Sequence, residues 1–334
     1  MMPVIMLSLP DAGTFGASDP LFILLAALAL EAYAGDFVAR LPWLPHPRGV
    51  MARAAGDLER RLNRPQRGRR ALIVRGAAVT AGLALAAVAS AAGIELFTRH
   101  FQFAWVLEVM LLVPLIGQRA TGRTAGRLTA ALDSGHTEDA REHVRVLAGE
   151  VLDPRRLDKL DARGIAIAAI GGLGERYASA VVAPIFWYIV LGLPGIFLQQ
   201  GVRVIAAVVA TGNRPGGGGY DPSREGDFAF AAARLNTALE WIPDKIAGLL
   251  IILAAVFVPT MKPRTALRRL KKAPWWSIGA LGGALNLPAR RDRVLSPAGA
   301  PSGHEVGRAL AIYTVACVLD IGIVALSTLL YHGL

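Results

Sequence analysis

A single cysteine, Cys317, in a chain of 334 residues excludes an internal disulfide, and its place in the last apolar stretch argues against a thiol mechanism. The six histidines are scattered, with no HxxxH or CxxC pairing, so a zinc site built by the protein has no support. Charge is scarce: 18% of residues are charged, against about 25% in soluble proteins. Residues Met1–Ser18 lack the basic start of a signal peptide, which predicts insertion without cleavage. Internal repeats, expected of a transporter, are not evident.

What the chain has instead is apolar length. From Ala71 to Phe97 it reads ALIVRGAAVTAGLALAAVASAAGIELF, and after Arg75 no charge appears for nineteen residues, until Glu95. As a helix that run crosses a hydrocarbon layer about 30 Å thick. It shows almost none of the polar face that a soluble helix carries. Further apolar stretches are Leu21–Tyr33, Phe101–Ile116, Val181–Leu193, Gly195–Ala210, Ile246–Val258 and Val306–Leu330. The expected fold is all-α, a polytopic membrane bundle of roughly five to seven helices, some broken or re-entrant.

The net charge is +11 and is concentrated: ten arginines lie from Arg40 to Arg75, and nine Lys or Arg from Lys262 to Arg293. Basic loops beside membrane helices stay cytoplasmic and meet anionic lipid headgroups. No aromatic-basic pattern accompanies them, so nucleic acid is not expected as a partner. The glycine run NRPGGGGYD lacks the GK[ST] ending of a phosphate loop and reads as a connecting loop.

Along the chain, Gly49–Asn63 reads as an amphipathic helix with Val50, Ala54, Leu58 and Leu62 on one face, suited to lie along the inner leaflet. Phe101–Ile116 is expected to return across the membrane after a tight turn at Thr98–His100. Residues 117–163 form a polar cytoplasmic insertion with two expected helices, Arg123–Leu132 and Glu138–Val151, the second capped by Thr137. Leu193–Gly195 should turn the chain between two short helices. Residues 262–305 read as a basic, Pro- and Gly-rich cytoplasmic loop. All of this belongs to one integral membrane domain, 1–334.

Several motifs together are similar to the adenosylcobinamide-phosphate synthase family of cobalamin biosynthesis (CobD/CbiB). Leu30–Pro47 (LEAYAGDFVARLPWLPHP) resembles a pattern of the kind LDxxxGDP…WLPHP, and Leu58–Arg64 (LERRLNR) is another landmark. Glu175–Phe186 (ERYASAVVAPIF) matches ENxxDGVVAPLF, and Pro194–Ile205 (PGIFLQQGVRVI) follows the family's course. Phe228–Lys245 (FAFAAARLNTALEWIPDK) overlies FGxxxARLDDxxNxIPAR without a gap.

The resemblance implies condensation of adenosylcobyric acid with an aminopropanol, usually as its phosphate, using ATP and Mg²⁺, in a multi-pass protein of a bacterial inner membrane. Such chemistry needs acidic oxygens for Mg²⁺, cations for phosphate and a base for the attacking amine. Yet family positions are replaced here. Asn, Asp and Gly of ENxxDG become Arg176, Ser179 and Ala180, and the two carboxylates of ARLDD become Asn236 and Thr237. The next Asn is Glu240, and the Arg after Ile-Pro is Lys245. NxxDSM meets Ala206–Ala210, GRD meets Gly149–Val151, and SPN meets Ala273–Trp275.

Two readings follow: a divergent synthase taking a corrinoid substrate, or a non-catalytic relative without cofactors, acting as an accessory subunit beside other membrane proteins. In the first, Glu175 is the catalytic candidate, since an acid among apolar helices is costly; pairing with Arg176 or Arg203 is its structural alternative. His46, Arg203, Arg234 and Lys245 suit phosphate, carboxylate or corrin binding, with interhelical salt bridges as the alternative for the cations. Asn236 and Thr237 offer neutral oxygens to the cofactor. Glu31, Asp36 and Asp227 are the metal candidates, Glu31 and Asp36 bracketing the end of the first helix. Glu108 and Asp320 are expected to hydrogen-bond between helices.

Overall fold

The computed structural model describes residues 19–39, 47–64, 68–101, 103–148, 159–211, 226–270, 275–287 and 303–331. Among them the elements are helices, with no strand, as the apolar runs require. In order they are α1 (Pro20–Ala39), α2 (Pro47–Leu62), α3 (Arg69–His100), α4 (Trp105–Leu112) with a 3₁₀ turn at Val113–Leu115, α5 (Gln118–Asp133) and α6 (Thr137–Ala148). Then come α7 (Ala162–Tyr177), a π-helical turn at Ala178–Val182, α8 (Ala183–Thr211), α9 (Gly226–Phe257), α10 (Pro263–Leu270), α11 (Trp276–Ala284) and α12 (Gly303–Tyr331).

Among the described residues three runs are long and apolar enough to cross a membrane: Arg69–His100, Ala162–Val209 and Gly303–Tyr331. The chain is a helical membrane protein. Pro20–Gly35 is a shorter apolar helix. Two of the expected stretches take another form. Phe101–Ile116 is not one continuous helix: α3 continues through His100, and only Trp105–Leu112 is α-helical before Pro114 tightens the chain, a length of about 12 Å. Ile246–Val258 is not a separate helix but the end of α9, which continues through Pro243 and carries Glu240, Asp244 and Lys245 just before its apolar part.

The Ala162–Val209 run has 48 residues, roughly 70 Å if straight, more than twice a hydrocarbon core. It is broken at Gly192, with φ 66° and ψ −152°, a conformation essentially closed to residues with a side chain. The expected turn at Leu193–Gly195 thus falls one residue earlier, where glycine permits it. Where a loop was expected between 262 and 305, two short helices, α10 and α11, form. The glycine run at 213–220 lies outside the described residues.

The chain folds as two compact units. The first comprises Met1–Ile116, Pro184–Leu239 and Ile321–Leu334. In it Ala55 of α2, with Leu58 and Leu62 beside it, packs on Val79 of α3, Ile205 and Val209 of α8 and Phe228 of α9. Of the face expected to meet lipid, Leu58 and Leu62 pack against protein, while Val50 is 47% exposed. Pro243 has no N–H, so the Leu239 carbonyl one turn back loses its helical partner; the Trp187 indole N–H donates to it at 3.0 Å. Buried Glu108 accepts from the Tyr188 hydroxyl at 2.7 Å and from Thr98 at 3.3 Å. That is the interhelical bonding expected of it. Burial pushes this carboxyl above its ordinary value, the Tyr188 bond working the other way.

The second unit comprises Gly117–Ala183 and Glu240–Asp320. Its centre is α7, buried almost continuously from Ile165 to Gly174, against which α5, α6 and α11 pack. Asp161 starts α7 by accepting the Gly164 N–H at 2.7 Å. The Tyr177 hydroxyl donates to Asp320 at 2.8 Å, again the expected helix-to-helix bond. Tyr313 lies edge-on to the Tyr177 ring and donates its own hydroxyl to the Gln118 carbonyl at 2.8 Å.

Candidate functional site

Within the second unit the last turn of α7 and the π-helical turn form one wall of a cleft. The π turn has a widened ring, so one carbonyl leaves the helical ladder; the Ala180 carbonyl accepts the Gly117 N–H at 2.9 Å instead. Glu175, Ala178 and Ser179 line this wall. Glu240 and Asp244, one turn apart on α9, line the second, and Trp275, Ser277 and Ile278 at the start of α11 line the third. The cleft is open to solvent, with about 250 Å³ of empty space that includes its mouth.

The cleft gathers positions from separate motifs: Glu175 and Ser179 from ERYAS, Glu240 and Asp244 from EWIPD, and Trp275 from the SPN counterpart. Glu175 is half-buried, Glu240 and Ser179 are buried. Asp244 and Ser277 escaped sequence reasoning. Neither position carries a polar residue in the patterns quoted, and only the packing of α11 on α7 and beside α9 brings them to the cleft.

The other expected site residues take varied places. The ammonium of Lys245 is held over two indoles, 4.3 Å from the Trp241 ring centre and 4.6 Å from that of Trp276. In the first unit Arg203 is buried in α8, and Arg234 is exposed, its guanidinium 5.3 Å over the Phe230 ring. Asp227 pairs with Arg69 at 3.0 Å. Thr237 donates its hydroxyl to the Ala233 carbonyl of its own helix at 2.9 Å, and Asn236 is half-buried. Glu31 is buried in α1. Asp36 follows a kink at Ala34 in that helix, and its side chain, like the whole of His46, lies outside the described residues. No group of three His, Cys, Asp or Glu placed to hold a metal occurs among the described residues.

Arg176, where the family pattern has Asn, binds outside the cleft. Its guanidinium donates to the Val146 carbonyl at 2.7 Å and the Leu147 carbonyl at 3.4 Å, closing the C-terminal end of α6, a favourable place for a cation.

Among the described residues, helices without strands, three membrane-length apolar runs and a cleft with buried carboxylates define a membrane protein of the helical-bundle class. The chain belongs to the family described as CobD/Cbib protein, whose profile matches residues 24–293. The cobalamin biosynthesis protein CobD of Brucella anthropi is 28% identical over 277 residues, covering 80% of each chain. That of Rhizobium meliloti is 28% identical over 309 residues, 88% of this chain and 90% of the relative. That of Rhodobacter capsulatus is 25% identical over 320 residues, 91% and 96%. No solved structure matches the chain.

Proposed function

We propose that this protein is the amide-forming synthase of cobalamin biosynthesis that joins adenosylcobyric acid to aminopropanol or its phosphate, in the inner membrane of a bacterium that it spans several times. The observation that carries the reading is the family match over residues 24–293. The gathering of its separate motifs around one cleft supports it. Relatives named as cobalamin biosynthesis proteins along 80% or more of their length point the same way. None of these matches supports a non-catalytic accessory subunit.

The reaction forms one C–N bond at a corrin side-chain carboxyl carbon and breaks one C–O bond there, while the attacking amine loses a proton. ATP with Mg²⁺, when bound, would supply the activation that lets the departing oxygen leave as phosphate. A Mg²⁺ that keeps water and phosphate oxygens needs only one or two protein carboxylates. Glu240 contributes one to the cleft, so the residues present fit it. Glu175, half-buried at the C-terminal end of α7, is the candidate to take the proton from the amine. Ser179 and Ser277 bring hydroxyls to the same walls. Each by its chemistry, His46, Arg203, Arg234 and Lys245 are the candidates for corrin and phosphate contacts. Asn236 and Thr237 are those for ATP; Glu31, Asp36 and Asp227 are further acidic ones for the metal.

The test is direct. Protein purified in detergent is supplied with adenosylcobyric acid, aminopropanol or its phosphate, ATP and Mg²⁺, and the amide is followed by mass spectrometry. The expected result is product from wild type and at least a hundredfold less from Glu175→Gln, the general range for a positioned base. Absence of amide with either amine, together with no ATP-dependent corrin binding, sinks the reading.

A further inference from the structure

We infer that Asp244 is a positioning residue that sets the third wall of the cleft; its role in the reaction rests on the synthase reading above. Asp244 is 4% exposed. One of its carboxylate oxygens accepts the Trp276 N–H at 2.7 Å. The other accepts the Ser277 N–H at 3.1 Å and the Ser277 hydroxyl at 2.6 Å. These N–H groups open α11 and have no partner inside the helix. A carboxylate from α9 thus completes the start of α11, where the helix dipole favours negative charge.

The surroundings make this bond decide geometry. One turn past Asp244, a Cβ added at Gly248 would come within 2.9 Å of the Trp276 carbonyl carbon, so α9 and α11 touch backbone to side. On the other side, a Cβ at Gly174 of α7 would stand 3.2 Å from the Ser277 carbonyl oxygen. The first turn of α11 is therefore wedged between the helix that carries Glu175 and the helix that carries Glu240. Lys245, stacked on Trp241 and Trp276, braces the same turn. Asp244 holds Trp275, Ser277 and Ile278 at the distance from Glu175 and Glu240 that the cleft requires. Three of its roughly four acceptor positions are taken up by this bonding, and metal and proton chemistry is assigned to the two glutamates.

The experiment compares wild type, Asp244→Ala and Asp244→Asn by amide hydrogen exchange and by steady-state synthesis. Removal of a charged acceptor from buried donors should speed exchange in 275–287 by ten- to a hundredfold, leaving 138–147 of α6 unchanged. A positioning role lowers kcat at least tenfold in Asp244→Ala with KM for the corrinoid within threefold. Asp244→Asn, which keeps one acceptor for Ser277, should recover part of both losses. If Asp244→Ala does not accumulate, Ser277→Ala, which removes only the hydroxyl donor, should shift both readouts in the same direction by a smaller factor. Unchanged exchange refutes the clamp. Faster exchange with unchanged kcat, or a change confined to KM, refutes its part in the reaction. A wild type that makes no amide overturns the synthase reading and that part with it, whereas exchange still reports on the clamp alone.

Discussion

Trp187→Phe offers the sharpest test of how α9 tolerates a proline in its interior. Pro243 removes one backbone donor, and the Leu239 carbonyl it would have bonded is buried with its residue 8% exposed. The Trp187 indole N–H, 3.0 Å away, replaces the missing donor. Phenylalanine keeps most of the apolar ring but has no N–H, so the carbonyl loses its partner. Leaving one buried polar group unsatisfied costs about 1–3 kcal/mol, or roughly a 5- to 150-fold shift in the folding equilibrium. The discriminating background is Pro243→Ala, which returns the N–H and lets the helix bond its own carbonyl. There Trp187→Phe should cost about 1 kcal/mol less or better, a coupling that a double-mutant cycle resolves. The assay is unfolding of the four proteins in mixed micelles of rising SDS fraction, followed by circular dichroism at the helical bands. Equal losses in both backgrounds would refute the account, because the indole would then be acting only by its bulk.

Other outcomes follow from equally local geometry. Gly192→Ala should lower the midpoint of the same unfolding curve by about 1–3 kcal/mol, since φ 66° is strained for any L-residue and Glu95 stands within 3.0 Å of the added Cβ. Gly76→Ala places a Cβ 2.0 Å from the Phe228 carbonyl oxygen; α3 and α9 must part, costing about 1–3 kcal/mol in that assay. Arg176→Ala should raise hydrogen exchange in 137–148 severalfold and cost about 0.5–2 kcal/mol, because the guanidinium closes the end of α6. Tyr177→Phe should destabilise by about 1–3 kcal/mol by stripping the buried Asp320 of its donor. The loss should shrink in an Asp320→Leu background.

Much of this was legible in the residues. The charge-free run from Gly76 to Ile94 reads as a membrane helix, because it is about twice the length of a barrel strand and a helix satisfies its own backbone in lipid. The motif spacing from Glu175 to Lys245 was enough to identify the family. The hydrogen-bonding of Glu108 and Asp320 followed from the cost of an acid among apolar helices. Those conclusions depend on local composition and on neighbours in sequence, which the chain states outright.

What the sequence left open was everything set by contacts between distant residues. Ile246–Val258 read as an apolar stretch of its own, but α9 runs into it through Pro243, where a tryptophan some 50 positions earlier supplies the missing donor. An arginine in the family's asparagine position suggested a damaged site, yet Arg176 caps α6 instead. Asp244 was invisible because its meaning comes from Trp276 and Ser277, which only packing brings to it. The amino-acid order by itself determined that this chain lives in a membrane as helices and which family it joins. Tertiary structure alone decided which acids face a common cleft, since a carboxylate's task depends on the donors that surround it.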